Sequence, residues 1–308
     1  MPILAEKAQV AARIESTEGV AENLGAADAL LVLQPWFEPK VEVHPREVVR
    51  ASFSSLEGVS GKRSAEIGFS VELKGSGARG QAPAWGALMK ACGFAEDIVT
   101  DTSVTYTPAS GSIPSATLSY YLDGVIGTLW GARGEVSLAL SAGQPGLLNF
   151  RFLGADFSVT DGNMLTGVSY ESNLPPVFVS AGLVLGSYSA QIETMRIELN
   201  NKLNLKTDIN QASGHKTALI SGRKPTGEFD PEMAYISDHD FFGRWRSGSL
   251  MSLQTSWGTG SGNIVTLAAP ACRYLGFNLD DRNGIAVLKG EFELTGPAGD
   301  DELTVTLT

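Results

Sequence analysis

The residues best suited to chemistry are few and scattered. The three histidines, His44, His215 and His239, stand far apart. The run Ser237-Asp238-His239-Asp240 has atoms that could ligate a metal, yet no second ligand pair stands at a useful spacing. The same residues suit the cap of a helix N-terminus. Gly258-Thr259-Gly260-Ser261-Gly262 is glycine-rich, but no Lys-Ser/Thr follows, so it reads as a hairpin turn rather than a phosphate loop. Asp280-Asp281-Arg282-Asn283-Gly284 lacks the EF-hand ligand spacing and its closing Glu, and also reads as a hairpin turn. No Gly-x-Ser-x-Gly elbow joins a strand to a helix. Trp85 and Trp245 could mark a ligand pocket, or they could anchor short amphipathic helices to a core. No catalytic constellation assembles from these residues, so the expected class is not an enzyme, and no cofactor or metal is expected.

The totals point the same way. The chain has 308 residues, with 43% apolar and 19% charged side chains, an ordinary globular composition. Its net charge of −11 and the lack of a basic block disfavour tight binding to a phosphate backbone. Cys92 and Cys272 have no CxxC neighbour, which fits reduced thiols in a cytoplasm. The N-terminal residues lack the basic and apolar regions of a signal peptide, and no apolar run reaches the length of a membrane span. The expectation is a chain with no membrane partner.

The elements that must position these residues are mostly strands. Residues 65–74 alternate most cleanly, with Ala65, Ile67, Phe69, Val71 and Leu73 against Glu66, Gly68, Ser70, Glu72 and Lys74. Residues 37–43 alternate as well. A charged, Ser-rich connection of unusual length, residues 45–61, joins the two. Gly75-Ser76-Gly77 bends the chain, Pro83 opens a short helix with Trp85, Leu88 and Met89 on one face, and Gly93 ends it. Further strands are expected at residues 102–107, 115–122 and 125–130, the last two joined by an Asp123-Gly124 hairpin turn. Residues 135–140 and 147–153 form another hairpin. Residues 156–173 are polar, and the domain junction falls there: a first domain at 1–160, a linker at 161–174 and a second domain at 175–308. The second half is expected to give strands at 191–199, 214–220, 250–257, 263–269, 272–279, 285–294 and 302–307, with a short helix at 240–246.

The two halves resemble one another. Leu31-Val32-Leu33 matches Leu183-Val184-Leu185, Val41-Glu42-Val43 matches Ile192-Glu193-Thr194, and Ser60-Gly61-Lys62-Arg63-Ser64-Ala65 matches Ser213-Gly214-His215-Lys216-Thr217-Ala218. Asn149-Phe150-Arg151-Phe152 likewise resembles Glu291-Phe292-Glu293-Leu294. The matches keep one order at nearly constant spacing, which implies tandem duplication of a β domain of about 150 residues.

Several first-half motifs together resemble the tail tube proteins of long-tailed, siphovirus-like bacteriophages. They are Arg13-Ile14-Glu15-Ser16-Thr17, Ala26-Ala27-Asp28-Ala29-Leu30, Glu66 through Gly77, Ala82 through Phe94, and Tyr120-Tyr121-Leu122-Asp123-Gly124 followed by Gly131-Ala132-Arg133-Gly134-Glu135. The resemblance runs from about residue 8 to 175 and reaches the second half mainly through the repeat. It implies a mainly β fold: two tandem β-sandwich or half-barrel domains, each with a short flanking helix. It further implies a structural virion protein, assembled in the host cytoplasm, whose rings stack into a tube that conducts DNA during ejection. The implied partners are the chain itself, the tape measure protein and other tail proteins, with double-stranded DNA passing through without specific binding. Two domains per chain lead to the expectation of a trimeric, pseudo-sixfold ring closed head to tail.

Candidate residues follow from that picture. Pro45, Arg46, Glu47 and Arg50, with Asn201, Lys206 and Asp208 at the corresponding place in the second half, are candidates for loops that reach a neighbouring ring or are simple surface excursions. Glu66, Glu72, Glu135 and Glu291 are candidates for an acidic lumen, and Trp85 and Trp245 for equivalent helix anchors. Two alternatives stay open. One is a tail terminator or baseplate hub ring of the same fold. The other is a carbohydrate-binding β-sandwich that stacks sugars on Trp85, Trp130, Trp245 and Trp257.

Overall fold

Alternating polarity becomes strand almost everywhere it occurs, because a two-residue period puts every second side chain on one face. The computed structural model describes residues 2–308. In the first half, β1 (Ala8–Ile14), β2 (Ala29–Leu30), β3 (Leu33–His44) and β4 (Val59–Glu72) precede helix α1 (Gly86–Ala91). Then come β5 (Phe94–Val99), β6 (Ser103–Pro108), β7 (Ala116–Leu122), β8 (Val125–Ser141), β9 (Leu147–Gly154) and β10 (Asp156–Asp161). The second half forms β11 (Val184–Leu185), β12 (Tyr188–Ser189), β13 (Thr194–Glu198), β14 (Leu203–Thr207), β15 (His215–Ile220) and β16 (Thr226–Phe229). Helix α2 (Phe241–Ser247) follows, then β17 (Met251–Trp257), β18 (Val265–Arg282), β19 (Ile285–Thr295) and β20 (Thr304–Leu307). The protein is mainly β.

Two layers enclose the core. One is an eight-stranded antiparallel run, β3-β4-β9-β8-β13-β16-β19-β18. The other comprises β2-β1-β7-β8-β10 and β12-β11-β17-β18-β20-β6-β5. The long strands β8 and β18 bend from one layer into the other. The halves join twice, through β8–β13 and through β6–β20, and a continuous apolar cluster runs through both.

The connectivity occurs twice. In the first half β8 pairs with β7, β10 and β9, β9 with β4, and β4 with β3. In the second, β18 pairs with β17, β20 and β19, β19 with β16, and β16 with β13. A register irregularity falls at the same place in both, between Ala116 and Leu118 and between Met251 and Leu253. Following the ladders equates Arg133 with Arg273, Phe152 with Phe292, Leu138 with Leu279, and Ile197 with Phe37. The hairpin β5–β6 belongs to the first half alone, and the ribbon β14–β15 to the second alone.

Several expected boundaries change. Residues 125–130 and 135–140 form one strand, which passes Gly131 in the left-handed region. Residues 263–269 and 272–279 likewise merge in β18. Pro270 lies where the ladder to β17 is irregular, a position where the missing N–H is tolerated. Part of the polar stretch 156–173 is strand β10, zipped onto β8. The strand at 215–220 pairs only with β14, as a separate two-stranded ribbon. In the pairing scheme β16 therefore occupies the place of β4, although 214–220 carries the sequence match.

Close backbone approach explains one glycine-rich pair. A Cβ on Gly75 would lie 1.8 Å from the carbonyl oxygen of Gly262, so the bend after β4 and the β17–β18 turn interlock through glycines.

Candidate functional site

The eight-stranded sheet has one face on the core and one face bare. Ile67, Phe69, Phe152, Leu138, Ile197 and Phe292 point inward and are buried. The alternate positions of the same strands carry charge. The four acidic candidates, Glu66 and Glu72 on β4, Glu135 on β8 and Glu291 on β19, all share this outer face. They differ in environment. Glu66 accepts from Lys40 Nζ at 2.7 Å and Arg151 Nε at 2.8 Å. Burial opposes its ionisation, but those two cations outweigh burial and hold the carboxyl below its usual range. Glu72 lies 3.7 Å from Lys74 Nζ, and Glu291 is exposed. Glu135 accepts the backbone N–H of Asn200 at 2.7 Å and that of Asn201. Burial nonetheless pushes it up to about 7.

The bare face mixes both signs: Arg196 pairs with Glu198 at 2.7 Å, and Lys289 with Asp280 at 2.7 Å. These residues belong to the face as much as the four acids do. Their signal was the odd–even position on each strand, which only the full pairing scheme makes legible.

The sheet is open at both ends. Among the described residues, β3 has β4 on one side only, and beyond Cys272 the β17 side of β18 carries no strand. An unpaired edge is a pairing surface unless something guards it.

The loop candidates separate. Pro45, Arg46, Glu47 and Arg50 all lie in the exposed connection between β3 and β4. Lys206 is exposed on the β14–β15 ribbon, and Asp208, at its turn, bonds Asn210. Asn201 is committed to the fold: its Nδ2 donates to the carbonyls of Cys92 at 2.8 Å and Gly134 at 3.0 Å. The ribbon itself lies on the first half. Buried Arg133 donates to Thr217 Oγ1 at 2.9 Å and to the Ala218 carbonyl.

The two tryptophans are not equivalent anchors. Trp85 is buried at the start of α1, donates from Nε1 to the Lys74 carbonyl at 2.9 Å and packs on Tyr106. Trp245 is 41% exposed; Phe241, which is buried, anchors α2 instead. Phe241 and Trp245 share a helix face, but Trp245 lies one turn further along, toward the exposed end of α2.

The chemistry-bearing residues take structural positions. Asp240 caps α2 by accepting from Gly243 N at 2.7 Å. His239 stacks on Tyr188 and bonds the Tyr274 hydroxyl at 2.9 Å. Burial, with Arg244 adding repulsion, pushes its imidazole down to about 4. Both cysteines are buried and free, and burial pushes the Cys272 thiol up to about 12. Among the described residues no cluster of His, Cys, Asp and Glu is placed to hold a metal, and no helix is long and apolar enough to cross a membrane.

Comparison with known proteins agrees with this architecture. No curated protein matches the chain. The family model described as phage tail tube protein matches residues 5–308, nearly the whole length. A mainly β chain with an open, one-sided sheet, matched end to end by that model, belongs to the phage tail tube protein family, whose members are structural components of the virion tail.

Proposed function

We propose that three copies of this chain close into a pseudo-sixfold ring, that rings stack into the tube of a siphovirus-like tail, and that DNA passes through the lumen during ejection. The observation that carries this reading is the β8–β13 junction. It joins the two repeated halves into one sheet and leaves their counterparts, β18 and β3, unpaired at the ends. A sheet that repeats its own junction geometry closes head to tail. The twice-used connectivity supports a tandem duplication, with domains at 1–160 and 175–308 around a linker at 161–174.

The bare face is then the lumen wall. Of the four acidic candidates, exposed Glu291 and half-exposed Glu72 put most negative charge on it, whereas Glu66 is paired with Lys40 and Arg151 and Glu135 is pushed up to about 7. Three copies at −11 each repel phosphate overall, so the duplex slides without specific binding. Residues 45–58 are the segment that reaches the next ring, with Lys206 and Asp208 as the second contact. Tape measure protein and other tail proteins are its further partners, and assembly takes place in the host cytoplasm.

Negative-stain microscopy of the purified protein over a range of concentration and salt tests this. Rings and short tubes are expected. Monomers under all conditions would contradict the reading, and closed rings that never stack would favour a terminator or hub.

A further inference from the structure

The intrachain junction contains the pattern for the contact between chains. Within one chain, β13 lies on the outer edge of β8 with Thr194 opposite Ser141, Ile197 opposite Leu138 and Glu198 opposite Ser137. Around the junction the ladders equate Ser137, Leu138 and Ala139 with Asn278, Leu279 and Asp280, and Arg196, Ile197 and Glu198 with Trp36, Phe37 and Glu38. Transferring the register puts Phe37 opposite Leu279, Trp36 opposite Asp280 and Glu38 opposite Asn278.

The exposure of the equivalent residues supports the transfer. Leu138 is 2% exposed beneath β13, whereas Leu279, in the same position on β18, is 68% exposed. Arg133 is buried under the β14–β15 ribbon, whereas Arg273 stands open and pairs with Glu293. Each half carries an insertion between the equivalent strands, the ribbon in one and the long β3–β4 hairpin in the other. Val41 and Val43 on the hairpin stem are exposed, as are Leu250 and, edge-on against Phe277 of β18, Phe242 and Trp245. An apolar stem and an apolar seat are thus both uncovered in the lone chain.

We propose that β3 of a second copy pairs antiparallel with the free edge of β18, Phe37 opposite Leu279, and that the hairpin stem seats over α2 and Arg273. This rests on the ring reading and adds its register and its seat. The register brings no like charges face to face. A two-residue slide toward the β18–β19 turn sets Glu38 against Asp280, and a one-residue slip turns Phe37 away from the core. Pro35 and Pro39 withhold N–H donors from β3, which guards it against indiscriminate pairing.

Paired cysteines test the register, because directly opposed positions lie within disulfide reach and diagonal ones do not. Trp36→Cys with Asp280→Cys, oxidised after assembly and run without reductant, is expected to give a ladder ending in a covalently closed trimer. Each single variant is expected to stay monomeric on the gel, since the native thiols are buried. Trp36→Cys with Asn278→Cys, a two-residue offset, is expected to crosslink little. Rings that crosslink through the offset pair, or through neither, would overturn the register while leaving the ring intact. Double variants that form no ring although the unmutated protein does would be judged by crosslinking Glu38→Cys with Asn278→Cys, where absence of a trimer overturns the proposal. A parent protein that never forms rings overturns both readings.

Discussion

Glu135 is the residue whose titration reports on the junction between the halves. Its carboxylate holds the backbone N–H groups of Asn200 and Asn201, which lead from β13 into the ribbon. Burial pushes it up to about 7 in the fold, above its ordinary value in the unfolded chain. The folded state therefore binds the proton more tightly. That contribution to stability is complete below the ordinary carboxylate range and is lost as pH rises through about 7. Glu135→Gln removes the titration, so thermal melts of the unassembled variant should lose less stability than the parent between about pH 5 and 8.5. The difference is on the order of 1 kcal/mol, discounted because the group keeps part of its solvent contact. Parallel pH profiles would contradict this account. In the sequence Glu135 was visible as an outward strand position, but its burial under residues 200 and 201 was not, because that contact spans the two halves.

At the scale of elements, the two helices share a place in the connectivity but not an anchor. Trp85→Ala and Phe241→Ala should each cost about 3–5 kcal/mol, because each empties a buried aromatic site. Trp245→Ala should cost under about 1 kcal/mol, since much of the ring already meets solvent. Chemical denaturation of the three variants checks this order, and a Trp245 cost equal to that of Phe241 would refute it. Strands with strict alternation, such as β4 and β9, were legible in sequence because burial of one face enforces the period. The long strands β8 and β18 were read as broken at Gly131 and Pro270, since local signals mark a bend and cannot tell a bend from an end. The four motif matches do not fall on the repeated connectivity. The ladders set Phe152 against Phe292 rather than Leu294, and Phe37 against Ile197, which takes Val41–Val43 off Ile192–Thr194. β11 pairs with β17 as β1 does with β7, so Leu183–Leu185 answers to β1 rather than to residues 31–33. At β15 the alignment fails because a ribbon inserted ahead of β16 carries the similar residues while the pairing partner of β19 is four residues of unremarkable sequence, Thr226–Phe229.

For the whole molecule, the proposed ring closes through edges that one chain leaves unpaired. Leu279→Glu alters an exposed side chain, so the stability of the lone subunit should change by no more than about 0.5 kcal/mol. The same change puts a charge where Phe37 of the next copy would sit, and rings should be lost. Sedimentation paired with a thermal melt separates the two effects, and intact rings with Glu at 279 would count against the edge as an interface. That Glu66, Glu72, Glu135 and Glu291 point away from the core was legible because outward strand positions alternate. The open edges were not, because an edge exists only once every other strand has been paired.

The rotational symmetry of a single ring, measured by averaging end-on views in electron microscopy, bears most directly on the claim that two repeated halves do the work of two subunits. Threefold symmetry with a strong sixfold component is the predicted result, each chain supplying two similar lobes. True sixfold symmetry from six chains, with twelve lobes around the lumen, would contradict it.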